Sequence, residues 1–134
     1  MKRVLIFTGF MISLLLIVSS CQPCIEGRGE ISKETIEFKK FHKLDLRIPA
    51  NLTIKIGNDH VATITSNENI LKNIRAKVKG STLVLGSKNC ISSSDELEIE
   101  LIVSELDEIT LNGSGNIKSI SQLKADNMEL KVNG

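Results

Sequence analysis

From Thr35 onward apolar and polar residues alternate with a period of two, and this constrains the fold more than any other feature of the chain. Leu44, Leu46 and Ile48 alternate with Asp45 and Arg47; Leu52, Ile54 and Ile56 alternate with Thr53 and Lys55. The cleanest run is 96–103, with Leu97, Ile99, Leu101 and Val103 on one side and Glu96, Glu98 and Glu100 on the other. Successive side chains of a strand point to opposite faces, so each run predicts a strand buried on one side. The apolar row of 96–103 belongs to a core. Its carboxylates face water, where like charge would also repel an incoming strand. A divalent-cation site on that row is the weaker reading, because residues i and i+2 diverge too far to share one ion without loops.

Turn residues divide the strands. Gly57, Asn58 and Asp59 precede Val61, so 52–65 is expected to form a hairpin. Gly80 and Ser81 between 75–79 and 82–86 predict a second one. Only 68–74 looks helical, with Ile70, Leu71 and Ile74 on one face, and a single helical turn or a bent strand fits it equally. The stretch 87–95 is a polar loop. Near the end, Ile109-Thr110-Leu111-Asn112-Gly113 returns 21 residues later as Leu130-Lys131-Val132-Asn133-Gly134. Short strands repeating near 20 residues, with Gly/Asn corners tolerant of positive φ, are what stacked coils require. Two antiparallel hairpins would give the same spacing, but stacking is favoured. The expected fold is therefore all-β, a β-solenoid or β-helix-like body of short strands.

The start of the chain is an address. Lys2 and Arg3 precede an apolar run, 4–18, interrupted by Thr8, Gly9 and Ser13 and ending at Ser19-Ser20-Cys21. It is too short for a span that needs about 20 residues, and it has the three-part form of a secretory signal peptide. Val18-Ser19-Ser20-Cys21 resembles a bacterial lipobox, which implies cleavage before Cys21 and lipidation of its thiol and new amino group. The expected organisation is a signal peptide, 1–20, a lipidated tether, 21–34, rich in polar residues with Pro23, Gly27 and Gly29, and a β domain, 35–134. Gln22 carries no strong cue for retention at the inner membrane, so the anchor is expected in the outer one.

Composition narrows the activity. Lys and Arg number 17 against 16 Asp and Glu, and losing Lys2 and Arg3 with the leader removes two positive charges. Such a balance lacks the basic footprint of a nucleic-acid binder. There is no Trp or Tyr, and beyond the leader only Phe38 and Phe41 remain to stack against a sugar or base. Cys24 and Cys90 could bridge in an exported protein. The favoured reading leaves them as free thiols, because Cys24 lies three residues past the anchor. A metal site of Cys24, Cys90, His42 and His60 lacks the close ligand pairs of zinc motifs, and both histidines read as solvated loop or edge residues. Asp59, Asp95, Asp107 and Glu108 could supply a hydrolytic carboxylate pair, yet turns and loops are rich in acidic residues anyway.

The order of elements resembles the auto-transporter adhesin "head GIN" domains common in lipoproteins of Bacteroidetes-type bacteria. The resemblance begins at Phe38-Lys39-Lys40-Phe41-His42-Lys43-Leu44-Asp45-Leu46 and continues through Asn51-Leu52-Thr53-Ile54-Lys55-Ile56-Gly57 and Ser66-Asn67-Glu68-Asn69-Ile70. It runs on through Lys79-Gly80-Ser81-Thr82-Leu83-Val84-Leu85 to Leu111-Asn112-Gly113-Ser114-Gly115-Asn116-Ile117, covering about 35–134. It implies a repetitive all-β body and transfers no catalytic or binding residue. Members usually continue for further coils, so the chain reads as shortened at its C-terminus.

The expected function is a non-enzymatic envelope lipoprotein displaying a β surface for binding or adhesion. The alternatives are a polysaccharide-acting β-helix enzyme and a self-assembling structural protein. Expected partners are the membrane through the anchor at Cys21, an envelope glycan or protein, and a second copy through the C-terminal strand edge. No cofactor, metal or nucleic acid is expected.

Overall fold

The computed structural model describes residues 22–92, 96–123 and 127–134. The leader, Cys21 and Asp95 lie outside the described residues. The elements in chain order are β1 (Ile31–Glu37), β2 (Lys43–Leu46), β3 (Asn51–Ile56), β4 (Val61–Asn67), the single turn α1 (Glu68–Leu71), β5 (Ile74–Lys79) and β6 (Thr82–Ser87). Then come β7 (Glu98–Val103), β8 (Glu108–Asn112), β9 (Asn116–Ser119) and β10 (Glu129–Asn133). The chain is all-β, as the alternation predicts. Two sheets form, ordered β1-β4-β7-β3-β9 and β10-β8-β2-β6-β5.

Three times the chain passes from the second sheet to the first, as β2 to β3, β6 to β7 and β8 to β9. These passes lie parallel and in register. Leu44 stands opposite Leu83 on one side and Ile109 on the other, and Leu52 stands between Ile99 and Ile117. Strand β10 extends the row, with Leu130 opposite Ile109 and Asn133 opposite Asn112. The 21-residue repeat is thus a parallel stack and not a pair of hairpins. Its order is not chain order, because β2–β3 lies between β6–β7 and β8–β9.

That order overturns one expectation. The stretch 52–65 is no hairpin: β7 enters between β3 and β4, parallel to one and antiparallel to the other, with Leu101 opposite both Ile54 and Ala62. The connection 57–60 easily crosses two strand spacings, about 9.6 Å, so its turn residues do not force direct pairing. Meanwhile β7 brings the longest inward apolar row, Leu97, Ile99, Leu101 and Val103, all fully buried. Central placement buries that row on both flanks, at roughly 1.5–3 kcal/mol for each large side chain. It also corrects the reading of Glu98 and Glu100 as guards of an edge. They face water from a central strand, flanked by Thr65 and Asn51, and by Thr63 and Thr53, respectively. Lys55 Nζ lies 3.7 Å from Glu100 Oε2. The hairpin β5–β6 and the helical turn fall where expected, the turn burying Ile70.

The corners work differently from expectation too. Among the described residues only glycines have positive φ. Gly113 does so, at 125°, where β8 turns toward β9. Gly115 is required for space, since a Cβ there would lie 2.9 Å from the Ile48 carbonyl oxygen and 3.0 Å from that of Ala50. Asn112 and Asn133 are strand residues, not left-handed corners.

Residues 24–34 are fastened to the body, where the sequence suggested a free tether. Cys24 and Cys90 form a disulfide, against the favoured reading of free thiols. The Ile25 N–H donates to the Cys90 carbonyl at 2.8 Å, and the Ser92 N–H donates to the Ile25 carbonyl at 2.9 Å. Asparagines complete the clasp: Asn69 Nδ2 donates to the Glu26 carbonyl, Asn67 Nδ2 to the Gly29 carbonyl, and Asn69 Oδ1 accepts from the Arg28 N–H. Residues from Ile31 onward are strand, antiparallel to β4. Closing 66 residues of chain restricts the unfolded state by about 4 kcal/mol in the loop-entropy description.

Candidate functional site

The residues singled out for chemistry are scattered. Asp59 lies in the β3–β4 connection, in a shallow pocket with Glu37, Phe38, Asn58, His60 and Val61. Asp107 Oδ2 lies 2.9 Å from His42 Nδ1 in the connection before β8. The side chain of Glu108 bonds to lysines. Neither histidine is simply solvated. Both are half-buried, and the His60 ring meets the fully buried Phe41 edge-on with centroids 5.3 Å apart. His60 Nε2 is 3.3 Å from Ser104 Oγ. Cys24 and Cys90 hold each other, so the set Cys24, Cys90, His42 and His60 offers no pair of thiolates. Among the described residues no three His, Cys, Asp or Glu side chains converge.

What the fold does assemble is a surface. Lys43, Asp45, Glu108, Thr110, Glu129 and Lys131 project outward from the second sheet because their strand neighbours Leu44, Ile109 and Leu130 point inward. In-register pairing brings like positions side by side, and the side chains bond across the strands. Glu108 accepts from Lys43 Nζ and Lys131 Nζ, each at 3.1 Å. The Lys131 and Lys43 ammonium groups hold the Glu108 carboxyl below the usual carboxylate range. One row along, Asp45 Oδ2 accepts from Arg47 Nη2 at 2.6 Å and Nε at 2.8 Å, which raises the guanidinium pKa. Asn112 Nδ2 donates to Asp45 Oδ1 at 2.8 Å, and Asn133 Nδ2 donates to Asn112 Oδ1 at 3.0 Å. The first sheet has its own rung, Asn116 Nδ2 to Asn51 Oδ1 at 3.0 Å. The repeated Asn at 112 and 133 was the available sequence signal for this ladder.

A second surface lies at the β9/β10 end. The inward row of the second sheet runs Val78, Leu83, Leu44, Ile109, Leu130, and the next Ala76, Leu85, Leu46, Leu111, Val132. Leu83, Leu44, Leu85 and Leu46 are fully buried, yet Leu130 and Val132 are 64% and 62% exposed. With Ile54, Ile117 and Leu123 they line an apolar groove of about 410 Å³.

The domain is thus a pair of five-stranded sheets with parallel rungs, whose outer faces carry ladders of hydrogen-bonded polar side chains. The chain belongs to the family described as putative auto-transporter adhesin, head GIN domain, whose profile matches residues 40–134. It is similar in fold to a putative adhesin from Bacteroides fragilis (TM-score 0.74, 21% identity, 82% of this chain and 53% of that one). A putative adhesin from Parabacteroides merdae gives 0.73 at 18% identity over 83% of this chain and 47% of that one. A putative lipid binding protein from Parabacteroides distasonis gives 0.75 at 19% identity over 82% and 49%. The chain therefore spans about half the length of these solved structures. None of the curated proteins matches it.

Proposed function

We propose that this chain is a lipid-anchored protein of the bacterial cell envelope, held in the outer membrane through Cys21, that presents its strands as a solenoid-like, non-enzymatic binding or adhesion surface. The observation that carries the reading is the outer face of the second sheet. Its polar side chains stand in register across parallel strands and are held rigid by bonds from strand to strand. Flat ridged faces of stacked strands suit extended glycans or protein partners, and here hydrogen bonds and charge would set specificity in place of aromatic stacking. The family description of an adhesin supports the same reading. The leader and lipobox at 1–21 support the address, and a disulfide fits an oxidising, exported location.

Two experiments test it. Cys21→Ser should move the protein from the membrane to the soluble fraction, or leave the leader uncleaved; unchanged fractionation with a mature N-terminus sinks the anchor. Immobilised protein should retain ligands from envelope-glycan and envelope-protein arrays, and Lys131→Ala/Asn112→Ala should lose them. Retention no better than that variant sinks the surface.

A second reading rests on the exposed Leu130 and Val132. Among the described residues β10 is the last strand of its sheet, and a second copy pairing there would cover both side chains. Light scattering should then show a dimer that Val132→Lys dissociates; a monomer at all concentrations ends this reading.

A further inference from the structure

The second sheet is electrostatically lopsided, and its excess charge lies at the end opposite β10. Arg75, Lys77 and Lys79 occupy alternate positions of β5 and project outward, because Ile74 is buried and Ala76 and Val78 pack on the core. Elsewhere on this face the cations are matched: Lys43 and Lys131 share Glu108, and Arg47 is paired with Asp45. Among the described residues Arg75, Lys77 and Lys79 form no ion pair. The Arg75 guanidinium donates to the Lys72 and Ile74 carbonyls. Opposite these cations stand Gly86, Val84 and Thr82 of β6, and Gly86 has open space where a Cβ would be. The result is a shallow depression of about 380 Å³ lined by Arg47, Arg75, Lys77, Lys79, Val84, Gly86 and Ser87.

This depression lies at the clasped end of the molecule. Ser87 pairs with Ile74, and Cys90, three residues beyond Ser87, is bonded to Cys24. Cys24 is itself three residues past Cys21, a reach of at most about 11 Å. The chain and the disulfide therefore hold the position expected to carry the acyl chains within about 26 Å of Ser87, at the Arg75 end of the strip. A polar edge strand rich in lysine also discourages strand pairing, but that role needs no depression and no unmatched arginine.

We propose that the β5 end of this face binds the phosphate groups of anionic phospholipids in the membrane holding the anchor, so that the domain stands edge-on to the bilayer with its clasped end down. The inference rests on the lipid-anchor reading above and adds an orientation to it. Clusters of Lys and Arg close to a membrane anchor are attracted to anionic headgroups in this way. The opposite end, with the ladder of Asp45, Asn112 and Asn133 leading away from the strip, is then raised toward partners.

The full acylated chain is reconstituted into phosphatidylcholine vesicles with and without phosphatidylglycerol, floated, and labelled with an amine-acetylating reagent. Lys77 and Lys79 should be acetylated about fivefold more slowly on the anionic vesicles. Lys33 and Lys118, on the other sheet, should react equally on both. Protection should fade in high salt, and Lys79→Glu should abolish it at Lys77 while leaving flotation intact. A chain that fails to float refutes the anchor itself. One that floats with Lys77 and Lys79 equally reactive on both vesicles refutes only the headgroup contact. Protection on neutral vesicles by a soluble sulfated polysaccharide, and none by phosphatidylglycerol, would assign the strip to a glycan and overturn the proposal.

Discussion

The two ends of the second sheet are built from the same alternating pattern and have opposite fates. At one end β5 closes the sheet antiparallel, and the Cys24–Cys90 disulfide and an asparagine clasp lie beside it. At the other, β10 stacks parallel on β8 as the last strand of the sheet among the described residues, and Leu130 and Val132 stay exposed. Leu85 and Val132 read alike in sequence as inward members of strands, yet one is fully buried and the other is not. Alternation specifies which way a side chain points; burial is conferred by the neighbour that covers it.

The contrast can be broken most directly in the core. Leu85→Ala should cost about 2–5 kcal/mol in urea denaturation, while Leu130→Ala should stay within about 0.5 kcal/mol. Similar losses at the two sites would mean that the β10 end is packed in solution. Next in size is the clasp: Cys90→Ser should cost about 2–4 kcal/mol in the same assay. A reductant should lower the stability of the parent to match and leave the variant unaffected. Gly115→Ala should cost about 1–3 kcal/mol, because its methyl group would press on two backbone carbonyls that cannot easily yield.

Smaller effects sharpen the comparison along the ladder. Asn112→Ala removes bonds to Asp45 and Asn133 and should cost about 1 kcal/mol, whereas Asn133→Ala, at the exposed end, should cost about half that or less. The smallest effect is acid sensitivity. Glu108 is held below the usual carboxylate range by Lys131 and Lys43, so its contribution is complete at neutral pH. It is lost as pH falls through the depressed folded value, where the folded carboxyl takes up its proton. Thermal melts of Glu108→Gln should therefore show a weaker pH dependence over the acid range than the parent. Parallel curves would remove Glu108 from the acid response.

Much of the fold was legible because it depends on local pattern. The alternation placed the inner rows at Leu44/Leu46, Leu52/Ile54 and Leu97–Val103, and the 21-residue return placed β8 beside β10. What stayed hidden was non-local. Nothing near Ile56 or Val61 announces that β7, some 40 residues later, will separate β3 from β4. The disulfide was obscured for a similar reason: Cys24 sits in a stretch that looks solvated, and only the Ile25–Ile91 bridge brings it to Cys90. Of the candidate surface, the repeated asparagines were visible but read as corners. Their ladder emerges only when parallel register places equal residues side by side. The basic strip was masked by an overall charge of +1, which averages over a face that is not uniform.

The position of β2–β3 between two pairs that follow it in the chain has a kinetic consequence. Neither flank of this early rung exists until residues beyond 80 and beyond 108 have joined, so the N-terminal half cannot complete its own sheets. Folding must wait for distant segments to return, which makes it a slow, high-contact-order reaction. Synthesis from the N-terminus then leaves no stable half-built domain along the way, and the thiols meet only after most of the chain is in place.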